Sequence, residues 1–169
     1  TFIANLIVGI AFGILLATGL TLYGRPIGWV EGIGWGTAGF LAFSLLPALG
    51  LPPEVPGSAT AELFPRQVWW LSTAFASVMG IALIAFNSQF LWKAAGLTVL
   101  IVPHVIGAPH PHMLESNVPA ALSVQFAVAS LFTSAFFWMV LGATSGHFFQ
   151  KLVFRIPDGK PPPTNHPFP

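Results

Sequence analysis

Residues 2–23 read FIANLIVGIAFGILLATGLTLY, a stretch without one formal charge or proline. An α-helix rises about 1.5 Å per residue and needs about 20 apolar residues to cross the hydrocarbon of a bilayer, so this stretch is expected to be a membrane helix. Working outward, Trp29 to Leu49 meets the same test after a Gly24-Arg25-Pro26 break. Gln67 to Phe86 follows, then a shorter Phe90 to Ile106 and a longer Pro119 to Ser145. The expected fold is all-α: a polytopic transmembrane helix bundle with five visible helices. Residues 1–145 form the transmembrane domain and 146–169 a Pro-rich C-terminal tail. Proline, charge and histidine collect in the connections 50–66, 87–89 and 107–118 and in that tail.

Composition excludes most other classes. Of 169 residues 54% are hydrophobic and 7% charged, against about 25% charged in an ordinary soluble domain, so a water-facing surface cannot be built. A mean hydropathy of +0.78 agrees. Six Lys/Arg against five Asp/Glu leave a net charge of +1, which offers nucleic acid no field to follow. Cysteine is absent, which removes disulfides, thiolate metal sites and cysteine nucleophiles together. No Gly-rich phosphate loop, H-E-x-x-H pair or G-x-S-x-G elbow occurs, so neither nucleotide-driven pumping by this chain nor hydrolysis is supported, and no enzyme activity is expected. The chain starts at Thr1 and its apolar run lacks a basic leader and a cleavage site. It is expected to be a processed or incomplete product rather than to carry a signal peptide.

The few charges orient the bundle, because positive residues stay on the cytoplasmic side. Arg25, Lys93, Lys151, Arg155 and Lys160 fall on one side and Arg66 on the other. The tail is therefore expected in the cytoplasm, and the loops 50–66 and 107–118 outside. Tyr23, Trp29 and Trp92 fall at the inner boundary and Trp69 and Trp70 at the outer one, as interfacial aromatics should, with Trp35 and Trp138 deeper as packing or lipid-facing residues. Small residues every fourth position, at Gly9/Gly13, Gly28/Gly32/Gly36 and Ser72/Ala76/Gly80, predict close helix packing.

The chemistry concentrates in Pro103-His104-Val105-Ile106-Gly107-Ala108-Pro109-His110-Pro111-His112-Met113-Leu114-Glu115. Imidazole and carboxylate suit first-row divalent ions. Pro109 and Pro111 hold the residues before them extended, so His110 and His112 stand on a stiffened strand, although an exposed, solvated loop with histidine beside proline is the commoner explanation for such a pair. His104 lies in the last turn of the fourth helix near the outer boundary, where an ionisable residue is either a ligand or bonded to a carbonyl that Pro103 frees. Glu54 sits on an outer loop with Pro52, Pro53 and Pro56 and either collects cations or solvates the loop. Glu31 is expected to pair with Arg25 or Lys93 at the inner interface. The candidate metal-contacting set is thus Glu54, His104, His110, His112 and Glu115.

Several motifs in order, Gly24-Arg25-Pro26-Ile27-Gly28-Trp29-Val30-Glu31-Gly32, Leu46-Pro47-Ala48-Leu49-Gly50-Leu51-Pro52-Pro53-Glu54-Val55-Pro56-Gly57, Arg66-Gln67-Val68-Trp69-Trp70 and Pro103-His104-Val105-Ile106-Gly107-Ala108-Pro109, resemble the probable cobalt transporter subunit family CbtA from about Gly24 to Gly142. The resemblance implies a bacterial inner-membrane protein of cobalt uptake for cobalamin synthesis, working beside a small single-span, histidine-bearing partner, CbtB. Residue by residue it points to His104 and Glu54. It also implies a membrane helix and acidic connection before Thr1 and a glutamate where Ala121 stands, neither of which this sequence carries, and the proline-rich stretch after Arg155 reads as an addition.

The leading expectation is an integral membrane subunit of a cobalt or other divalent-metal uptake system. Its outer-facing loops capture the cation as substrate, and no tightly bound cofactor is expected. The rival is a non-transporting accessory subunit of a larger photosynthetic or respiratory complex, docked through its glycine stripes and Pro-rich tail. In either case the partners are the lipid bilayer and other membrane subunits.

Overall fold

The computed structural model describes residues 2–111 and 118–153, and every described element is helical. Helix α1 covers Phe2–Tyr23 as its composition requires. It ends because Gly24 adopts φ 68°, a left-handed conformation that costs glycine nothing, and donates its N–H to the Leu20 carbonyl at 3.2 Å. Helix α2 (Trp29–Phe40) starts after the Pro26 break. Its third residue, Glu31, reaches back to accept the Gly28 N–H at 3.1 Å, one half of a capping box. This corrects the expected ion pair: Arg25 lies over the Tyr23 ring, 5.5 Å from its centroid, and Glu31 serves the helix end.

The path of α2 continues through a π-helical turn, Leu41–Leu45, into the short α3 (Leu46–Ala48). Pro47 explains the widening. Its ring would collide with the Phe43 carbonyl in a regular helix, and it has no N–H to donate. The wider turn lets the Leu46 N–H reach the Leu41 carbonyl instead. Helix α4 (Leu63–Phe86) begins four residues before the expected Gln67. Pro65 lies in its first turn, where a missing N–H has no partner to lose, so the proline that reads as a loop signal is tolerated. Helix α5 (Phe90–Ile106) contains Pro103 and stops at Gly107, whose φ is 87° and whose N–H meets the Pro103 carbonyl at 3.1 Å. Helix α6 (Ala120–Val153) runs on past the expected end at Ser145, for nothing between Gly146 and Val153 breaks a helix and Lys151 suits the C-terminal dipole. By length and composition α1, α4 and α6 can each cross a membrane, and α5 is a shorter apolar helix.

Two compact units emerge, one holding the chain up to Gly36 with the part from Trp138 onward, the other Thr37–Phe137. In the first unit α2 and α6 touch backbone to backbone. A methyl group on Gly32 would strike the Gly142 carbonyl, one on Gly36 the Trp138 carbonyl, and one on Gly146 the Gly28 carbonyl. The expected stripe Gly28/Gly32/Gly36 is therefore used, and its complement is the Trp138-Gly142-Gly146 face of α6. Lipid is as apolar as any side chain, so close van der Waals approach rather than water exclusion holds such a seam. Trp138 is 2% exposed against Phe12, and Trp35 packs on Gly19 and Tyr23, which makes both tryptophans packing residues. A cluster of Leu20, Ile27 and Phe149 completes this unit's interior. A Cβ on Gly13 would make only an ordinary contact, 3.9 Å from Leu141 Cδ1, so this glycine sets no close approach.

In the second unit α4 and α5 cross where Gly80 and Gly96 meet. A Cβ on Gly80 would come to 2.8 Å from the Gly96 carbonyl oxygen, and one on Gly96 to 2.7 Å from that of Gly80. The buried face of α4 is Trp69, Thr73, Ala74, Ser77 and Gly80. Of the expected Ser72/Ala76/Gly80 stripe Gly80 is used, whereas Ser72 is exposed and Thr73 and Ser77 face inward in place of Ser72 and Ala76. Outward-facing positions are apolar in both units: Phe2, Ile7 and Ile14 on α1, Phe75 on α4 and Phe90 on α5 are all exposed, the surface a lipid-facing helix requires.

Candidate functional site

The second unit contains a cleft of about 870 Å³ between the π-helical turn, the Leu51–Glu54 segment, the first turns of α4 and the Ser130–Ser134 stretch of α6. The loop that forms one wall is held by prolines at 52, 53 and 56. Its Pro56-Gly57 corner, with Gly57 at φ 93°, is closed by the Ser58 N–H on the Val55 carbonyl at 3.0 Å. This stiff loop aims Glu54 at Arg66 in the first turn of α4, and Nη2 of Arg66 donates to Oε2 at 2.6 Å. The two side chains are 28% and 26% exposed, so the pair keeps one side in the cleft. Across from it Ser44 in the π-helical turn and Ser134 on α6 join hydroxyl to hydroxyl at 2.7 Å. Gln67 and Ser130 add further polar groups to an otherwise apolar lining. Chemically the cleft offers oxygen donors suited to a hydrated cation, with the strongest of them, the Glu54 carboxylate, already shared with the Arg66 guanidinium.

Next to the cleft, at the start of the α4–α5 interface, lie buried polar atoms with no hydrogen-bond partner among the described residues: Nε of Arg66, Nε1 of Trp69, Oγ1 of Thr73 and Nε2 of His104. Trp69 meets the imidazole of His104 edge to face, 5.9 Å between ring centroids at 67°. Trp69 also lies on Gly50, where any side chain would strike the indole and where a Cβ would stand 3.0 Å from that of Ala108. Trp69 is thus 8% exposed and turned inward as a packing residue. Pro103 precedes His104 and leaves the Val99 carbonyl without its usual helical donor, yet the imidazole nitrogen Nε2 meets no partner among the described residues.

Of the five candidate metal-contacting residues, the structure places Glu54 on Arg66 and His104 against Trp69. His110 is exposed on the connection after α5. His112 and Glu115 lie outside the described residues. Among the described residues no three of His, Asp and Glu converge. Sequence reasoning did not find Arg66 as the partner of Glu54, Ser44 as the partner of Ser134, or Thr73 and Trp69 beside His104. Only Thr73/Ser77 and Ser130/Ser134, hydroxyls at helical i, i+4 spacing, carried a legible signal.

Residues 1–150 match the family model described as probable cobalt transporter subunit (CbtA), which extends the motif-bearing stretch to nearly the whole described chain. The chain belongs to the CbtA family. No curated protein and no solved structure matches it. Membership makes this CbtA-family chain a membrane protein and a subunit of a cobalt transporter, with a metal ion as substrate and membrane partners around it. The all-helical bundle of long apolar helices is the architecture that such a role requires.

Proposed function

We propose that this chain is the cation-capturing subunit of a cobalt uptake system in a bacterial inner membrane, with loops 50–66 and 107–118 outside and the carboxyl end in the cytoplasm. The cation is a transient substrate. It arrives as a hydrated ion at the outer loops, where Glu54, His110, His112 and Glu115 supply carboxylate and imidazole, and passes to His104 at the entrance to the bundle. At Glu54 it competes with Arg66 for the carboxylate, so capture releases the guanidinium and departure restores the ion pair. A single-span CbtB-like protein is the partner this reading assigns.

The observation that carries the proposal is Nε2 of His104, buried and without a partner among the described residues. A buried polar nitrogen left unbonded costs about 1–3 kcal/mol, which a structural histidine would avoid by bonding to a neighbour and a ligand histidine recovers on binding. The rival reading, docking into a larger complex through glycine stripes, loses one support, for Gly32 and Gly36 are already filled by α6 of the same chain. Accumulation of radioactive cobalt by cells producing His104→Ala, corrected for protein in the membrane, tests the proposal. A fall of about tenfold or more is expected on loss of a metal-contacting residue. Wild-type accumulation would overturn it.

A further inference from the structure

The row of unpartnered atoms does not end with histidine. Arg66, Trp69 and Thr73 are spaced i, i+3, i+7 on α4 and so share one face, which leads from the cleft into the α4–α5 interface. The register there is set by Gly80 against Gly96. Two helical turns from that crossing, seven residues back along α4 and seven forward along α5, lie Thr73 and Pro103. The Thr73 hydroxyl is thus level with the turn that carries His104. Thr73 is fully buried and Trp69 nearly so, yet neither Oγ1 nor Nε1 has a partner among the described residues. Threonine inside a helix has a ready alternative in the carbonyl four residues back, which Thr18, Thr98, Thr133 and Thr144 all use. Thr73, although fully buried, does not use it. Ser77, one turn on, takes the Thr73 carbonyl, so the helix is otherwise regular there.

We infer that Thr73 Oγ1 and His104 Nε2 together form the buried half of the cation site, with the Trp69 N–H directed at a water that the ion brings in. The inference rests on the cation reading of His104 and adds two residues to it. A hydroxyl and an imidazole nitrogen are acceptable donors for a first-row divalent ion, and water fills the remaining positions. Trp69 has only a donor and cannot ligate, but it can hold a water oxygen and seal the site on one side. The unsatisfied groups then gain partners when the ion enters with part of its shell.

The test uses the full chain purified in mild detergent, titrated with cobalt(II) chloride and read by tryptophan fluorescence, which this open-shell ion quenches at close range. Quenching is expected in the wild type and is lost in Trp69→Phe. Thr73→Val keeps shape and removes only an unpaired hydroxyl, so its thermal stability should equal or exceed wild type, while the cobalt concentration for half-quenching rises about tenfold. Thr73→Ser should restore it. A Thr73→Val protein with wild-type half-quenching overturns the inference while leaving His104 in place. A His104→Ala protein that still quenches at the wild-type concentration overturns both.

Discussion

At the scale of single residues, glycine separates two jobs that look alike in sequence. Gly34 and Gly36 sit in the same helix two positions apart, yet a methyl on Gly34 meets nothing within 4 Å and one on Gly36 strikes the Trp138 carbonyl. Gly34→Ala is expected to stabilise the protein by up to about 1 kcal/mol, the helix-propensity difference. Gly36→Ala should destabilise it by about 1–3 kcal/mol, as overpacking does, because backbone rather than a flexible side chain is in the way. Unfolding in mixed micelles with increasing denaturing detergent measures both. The His104 turn follows the same logic. That His104 is an ionisable residue in the last turn of an apolar helix was legible from position alone, whereas its contact with Trp69 and its lack of a partner among the described residues depend on a helix distant in sequence.

At the scale of elements, the helices were legible because apolar length is a local property. Phe2–Tyr23 and Phe90–Ile106 begin and end where composition puts them. The misplaced ends have local causes too: Pro65 is harmless in a first turn, and nothing stops α6 before Val153. The π-helical turn at Leu41–Leu45 was not read, since Pro47 only forbids the regular helix and does not say how the chain yields. The consequence is a serine turned to α6. Ser44→Ala, Ser134→Ala and the double variant form a cycle, and the Ser44–Ser134 hydrogen bond is expected to show a coupling of about 0.6 kcal/mol, the average for interhelical bonds in membranes. Additive single changes would mean that the hydroxyls do not support one another.

At the scale of the whole molecule, the proposed orientation, argued from five basic residues against one, is measurable because the sequence holds no cysteine. Thr60 is exposed on the 50–66 connection and Lys151 is exposed near the end of α6. Cells carrying Thr60→Cys are expected to react with a membrane-impermeant maleimide while intact, and those carrying Lys151→Cys only after permeabilisation. The reverse pattern would place Glu54 and His104 at the cytoplasmic mouth, and capture from outside would fail with it.

What the amino-acid order decided alone was the solvent and the secondary structure. With 7% charged residues and long uncharged apolar stretches, the chain is suited to lipid and to helices that bond their own backbones, and residues 1–150 match the family. What only tertiary structure decided was partnership. Whether Glu54 meets Arg66 or a histidine, which face of α4 is buried, and which glycines touch a carbonyl all depend on helix rotation and register. Those are set by close packing between segments far apart in the chain, and in lipid no gradient of hydrophobicity announces which side of an apolar helix faces inward.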